Sequence, residues 1–248
     1  CGTEVHEMGR GIDVYLNAKG LSDKFYVHLV KEPEFKYIEY EVEKCQDVIL
    51  LLGFWQLKAT GFWERIGGHF VTVAGVNSTT LEIGISDPYM DAAELGAPGQ
   101  VIPPGHTHPP INTWRLHNNA TYVSHDVYRA ASPSGSPGGS WNLTGYVAQE
   151  FFQQYPQLGN CPTEFLLQQG SYEQGTPINT EIEYAVIVCP WYAKPDYPDY
   201  APSGVPDFDQ RQWGTYNWTD KLGEWSHCGP VAVADSLWWL DSEFERNN

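Results

Sequence analysis

Apolar positions in the first ninety residues change period three times. Val5, Met8, Ile12 and Leu16 recur at helical spacing behind Thr3, which suits an N-cap, and the pattern stops near Lys19-Gly20. Phe25, Val27 and Leu29 then alternate as a strand. Pro33 opens a second helix with Phe35, Ile38, Val42 and Cys45 on one face. Three strand signals follow at 48–57, 68–76 and 80–86, separated by short polar loops. The pattern therefore predicts a helical part followed by a sheet.

From residue 91 to 145 the periodicity is lost. Pro98, Pro103-Pro104-Gly105, Pro109-Pro110 and the run 132–139 (Ser-Pro-Ser-Gly-Ser-Pro-Gly-Gly) interrupt any long element, so this stretch reads as a loop-rich insertion. Residues 146–155 have a short amphipathic pattern, and 163–169 and 181–189 read as strands, the latter with Ile182, Tyr184, Val186 and Val188 on one face. A Pro/Tyr-rich linker occupies 191–204. Val231 to Leu240 then continue as an apolar helix behind Gly229-Pro230.

Candidate chemistry sits at the two ends of the chain. Ser226-His227-Cys228-Gly229-Pro230 places a thiol at a helix start, where the partial positive charge of the helix favours thiolate. Gly67-Gly68-His69 opens one strand, and Ser86-Asp87-Pro88 closes the next. If the two strands are antiparallel neighbours, Asp87 becomes an acceptor that orients the His69 ring. Each of these signals is commonplace by itself: a buried Cys is usually an inert small hydrophobe, and Asp-Pro is an ordinary turn.

Together they resemble the C39-like papain-fold cysteine peptidases. Val205-Pro206-Asp207-Phe208-Asp209-Gln210 followed by the Cys228 segment is similar to the start of such domains, Gly67 to Gly75 to their His strand, and Ser86-Asp87-Pro88 to their Asp element. The resemblance implies an α+β papain-like fold, with a helical lobe carrying the nucleophile, an antiparallel sheet lobe carrying His and Asp, and a long Pro/Gly-rich insertion. It implies Cys228 as nucleophile, His69 as base, Asp87 as orienter and Gln210 as oxyanion donor, with Gln212 competing for that role. It covers 205–248 and, less tightly, 1–95. The motif order is circularly permuted relative to the family, through a permuted chain, a cut loop between 248 and 1, or a crossing between subunits; the cut loop is preferred.

The organisation expected is a sheet lobe with the His and Asp elements at 1–90, the insertion at 91–145, a further β-rich segment at 146–190, the linker at 191–204 and the nucleophile helix at 205–248. The expected function is a secreted cysteine peptidase acting on polypeptide through Cys228, His69 and Asp87. The alternative is an extracellular structural subunit, of a surface layer or filament, built on the same fold with an idle site.

Composition adds the setting. A net charge of −17 argues against nucleic acid or an anionic membrane surface as partner, and no apolar run reaches transmembrane length. The sequons at Asn77, Asn119, Asn142 and Asn217 predict N-glycans and an extracellular or cell-surface location. Of the five cysteines, Cys1, Cys45, Cys161 and Cys189 are candidates for two bridges, in any of three pairings, leaving Cys228 over. His106 and His108 lack a third ligand at usual spacing, so no metal or cofactor is expected. Self-assembly through the termini or the Pro/Tyr linker is the remaining partner expectation.

Overall fold

A strand whose every residue is apolar has to be covered on both faces. The computed structural model, which describes residues 4–44, 47–87, 115–116, 126–144, 146 and 172–190, shows how this chain does it. Two helices, α1 (Val5–Ala18) and α2 (Phe35–Glu43), flank strand β1 (Phe25–Lys31). Strands β2 (Asp47–Leu57), β3 (Trp63–Asn77) and β4 (Glu82–Ser86) form a meander. They are followed by β5 (Arg115–Leu116), β6 (Asp126–Ala131), β7 (Asn142–Thr144) and β8 (Ile178–Pro190).

Every pairing is antiparallel, and β2, β3, β4, β6, β7 and β8 close into a six-stranded ring, because β8 pairs with both β2 and β7. β1 lies outside the ring on β8, and β5 on β3. Alternation sorts the side chains. Leu50, Leu52 and Phe54 of β2 meet Val71 and Val73 of β3 and Ile187 of β8 inside the barrel, in a cluster that Phe35, Ile38 and Val42 of α2 join. Ile49, Phe70, Val186 and Val188 point the other way, into a second apolar layer that α1 closes with Val5, Met8, Ile12 and Leu16.

A bulge in β8 shifts this alternation. Leu51 opposes Tyr184 but Leu52 opposes Ile182, so Glu183 is the extra residue. Ile182 consequently belongs to the barrel interior while Tyr184 packs with the outer layer, which corrects the expectation that the two share a face. Glu183 folds over Gly53, where a Cβ would overlap its carboxylate, and pairs with Arg65 through three hydrogen bonds, Nε to Oε1 at 2.8 Å and to Oε2 at 3.0 Å, and Nη2 to Oε2 at 2.8 Å. Trp55 Nε1 donates to the same carboxylate at 3.1 Å. Gly68, opposite Gly53, leaves the room this pair needs, since a Cβ there would lie 2.6 Å from Arg65 Nη2.

The papain-like α+β expectation, and the family resemblance with it, is overturned. The described chain is a closed barrel with two short helices, and no separate helical lobe faces its sheet among the described residues. The physical reason lies in the stretch read as insertion. Its Pro and Gly residues mark turns between strands and do not abolish the strands: Ser132 to Gly139 connect β6 to β7, which are two of the six staves. The nucleophile helix expected after Pro230, the Pro/Tyr linker, most of 146–155 and the strand expected at 163–169 lie outside the described residues. Among those described, no helix is long and apolar enough to cross a membrane.

Candidate functional site

His69 and Asp87 do come together. His69 stands on β3 and Asp87 directly follows β4, its antiparallel neighbour, and His69 Nε2 lies 2.7 Å from Asp87 Oδ1. Tyr146, unforeseen in sequence, donates its hydroxyl to Asp87 Oδ2 at 2.6 Å, so both carboxylate oxygens are engaged. With Asp87 ionised, Nε2 carries the ring proton. Phe54 and Tyr128 pack on the Tyr146 ring, at centroid distances of 6.0 and 5.1 Å.

The setting of this relay is that of a core and not of a cleft. His69 shares the inward parity of Val71 and Val73 and is 0 % exposed, and Asp87 is 1 % exposed. A general base has to come within hydrogen-bond reach of its substrate. An imidazole walled inside a filled barrel does not meet that condition, so the cysteine-peptidase expectation falls with the two-lobed fold, and so does the idle papain-like subunit offered as its alternative. Cys228, Gln210 and Gln212 lie outside the described residues. The glycine before His69 has its own explanation in the space it leaves for Arg65.

The disulfide expectation is corrected at Cys189, which stands as a buried thiol on β8. Cys1, Cys45 and Cys161 lie outside the described residues. Burial pushes the Cys189 thiol up to about 11 from its ordinary 9.0, against a hydrogen bond from Tyr26 that lowers it. A thiol raised this way is a poor nucleophile. It also makes stability depend on pH. Well below pH 9 the thiol keeps its proton folded or unfolded. Between about 9 and 11 the unfolded chain loses the proton while the folded chain holds it, so stability falls as pH rises. Urea midpoints measured from pH 8 to 10.5 are expected to decline more steeply for the wild type than for Cys189→Ala; parallel slopes would show that the thiol is not held neutral by the fold.

Among the described residues, two neighbouring aromatics are exposed at the β2–β3 hairpin. Gly61 takes a left-handed φ of 81°, which lets the chain reverse with Lys58 N donating to Phe62 O at 2.8 Å. Phe62 is 74 % exposed and Trp63 39 %. The tip is clamped from behind. Gln56 Nε2 donates to Glu173 O at 2.7 Å, and Glu173 N donates back to Gln56 Oε1 at 2.8 Å. Buried Lys58 Nζ reaches Gln56 Oε1 at 3.1 Å, with the half-exposed carboxylates of Glu64 and Glu173 at 3.5 and 3.8 Å. Sequence reasoning passed over this turn as a short polar loop; the signal available was two aromatics directly behind a Thr-Gly turn.

Two sequons fall on described residues, and both use their amide oxygens internally. Asn77 is 2 % exposed, and its Oδ1 accepts from the backbone N–H of Thr79 at 3.0 Å and Thr80 at 3.2 Å. Glu39 of α2 holds Ser78 through both its backbone N–H and its hydroxyl. Asn142 Oδ1 accepts from Ser136 Oγ at 3.1 Å and from Asn179 Nδ2. Asn119 and Asn217 lie outside the described residues.

No protein-family model, curated protein or solved structure matches this chain.

Proposed function

We propose that the barrel is a non-catalytic recognition module that engages its partner through the β2–β3 hairpin tip, and that the partner is a neutral polysaccharide. The observation that carries this reading is the exposure of Phe62 and Trp63 on a turn already clamped by Gln56, Lys58 and Glu173. An aromatic contact on a mobile loop loses affinity to ordering; a clamped one has little left to lose. Aromatic faces stack on the apolar faces of sugar rings, and the half-exposed Glu64 and Glu173 supply charged acceptors for hydroxyls beside them. The net charge of −17 opposes anionic partners and is indifferent to an uncharged glycan.

Co-sedimentation with insoluble cellulose and chitin, and affinity electrophoresis through soluble β-glucan and xylan, test the reading. The wild type is expected to be retained by at least one of these. A Phe62→Ala/Trp63→Ala double variant of unchanged urea midpoint should lose at least about tenfold in affinity. No retention of the wild type, or equal retention of the double variant, would sink the proposal.

An extracellular location belongs to the same reading, supported by the sequons and the acidic composition. Secreted from a glycosylating host, the protein is expected to carry glycans that Asn119→Gln and Asn217→Gln remove, because Asn77 is buried and Asn142 is held by Ser136 and Asn179. An intact mass equal to that of the bare polypeptide would remove this support.

A further inference from the structure

The closed ring leaves one long strand outside it. Among the described residues β1 pairs only with β8, and the register fixes which of its backbone groups that pairing uses. Glu32 N donates to Glu183 O at 2.8 Å, so Glu32 and, by alternation, Val30, His28 and Tyr26 turn their N–H and C=O groups toward β8. Val27, Leu29 and Lys31 therefore turn theirs outward. The next outward position, Phe25, spends its N–H on Leu21 O at 3.0 Å, which ends the open edge at that side.

We propose that this edge pairs with the β1 edge of a second copy of the chain, antiparallel about a two-fold axis at His28, continuing the sheet from one barrel into the next. In this register Val27 of each copy faces Leu29 of the other, and their outward N–H and C=O groups form two narrow hydrogen-bonded pairs. Lys31 N–H meets the carbonyl of the partner's Phe25. Lys24 comes opposite the partner's Glu32 at both ends and joins the Lys31 ammonium that already lies 2.8 Å from that carboxylate in its own copy. The two His28 residues, exposed on β1, form the central pair that shares no hydrogen bond. The interface is isologous, and the two-fold closes it at a dimer. An occupied edge also resolves a hazard, since β1 carries no proline and no bulge in its pairing with β8, and an open strand of that kind is a template for uncontrolled association.

Light scattering coupled to size exclusion tests this, at about 0.3 M salt, where screening quiets the mutual repulsion of two chains of net charge −17. The wild type is expected to run as a dimer at about 50 µM, the range a strand-to-strand contact sustains. Leu29→Pro removes an outward N–H and none that β8 uses, so it is expected to give a folded monomer, checked by an unchanged far-UV spectrum. Should that variant misfold, Lys24→Glu is the second route: it should weaken the dimer at least about tenfold, and adding Glu32→Lys should restore it. His28→Cys reports the register, since Cα atoms of a non-hydrogen-bonded pair lie close enough to bridge: mild oxidation should yield a covalent dimer that wild-type protein does not form. A monomeric wild type overturns the proposal, and so does a dimer that survives folded Leu29→Pro or leaves His28→Cys unlinked. The polysaccharide reading is independent, because Phe62 and Trp63 take no part in this edge.

Discussion

Replacing Asp87 with alanine is expected to cost about 3–5 kcal/mol, a large share of the 5–15 kcal/mol by which a domain is stable. The carboxylate takes the His69 ring N–H on one oxygen and the Tyr146 hydroxyl on the other, and the pair is sealed from water. Removing it strands two buried polar groups at once, where no solvent can compensate them. Urea unfolding monitored by tryptophan fluorescence measures the loss. Tyr146→Phe strands one carboxylate oxygen and is expected to lose about 1–3 kcal/mol. A cost for Asp87→Ala below that of Tyr146→Phe would mean that the carboxylate does not anchor the relay.

The second large effect is expected at Glu181. Its carboxylate is 0 % exposed and accepts from Gly138 N at 2.9 Å, Ser140 N at 3.2 Å and Asn179 Nδ2 at 3.1 Å. The same residue is the Cα partner of Asn142, the one register pair between β7 and β8. Glu181→Ala removes three hydrogen bonds to a charged group, and about 3 kcal/mol or more should be lost. The damage is local in kind. Amide hydrogen exchange is expected to accelerate first across 132–144, while β2 and β3 keep their protection until global unfolding. Uniform acceleration through all six strands would show that Glu181 supports the barrel as a whole and not its seam.

How much of this was legible in sequence depends on the range of the forces involved. α1 was readable because Val5, Met8, Ile12 and Leu16 meet one surface at one period; the structure buries those four on the second apolar layer. The His69 and Asp87 contact was readable because β3 and β4 are joined by a short turn, so strand alternation alone predicts the approach. What the approach meant was not readable. Tyr146 arrives from far along the chain, and only the closed ring shows that the imidazole faces a packed interior. Closure itself rests on β8 finding β2, in a register set by a bulge at Glu183 that no local pattern announces. The strands β6 and β7 were hidden by their own turn residues, whose prolines and glycines dominate a window that short staves cannot fill. A motif match carried the wrong fold for the same reason: Gly68 next to His69 answers to a guanidinium on the outer face, not to a reacting atom.

The position of β8 has a consequence for how the protein is made. α1 and β1 leave the ribosome well before β8, which is the strand that β1 pairs with and half of the surface that α1 covers. Until then β1 has no strand to pair with and α1 only half of its surface, while the β2–β3–β4 meander, with α2 packed on it, can already form from near neighbours. Assembly therefore runs from the middle outward, and the start of the chain waits, apolar helix and bare edge together, for its completion.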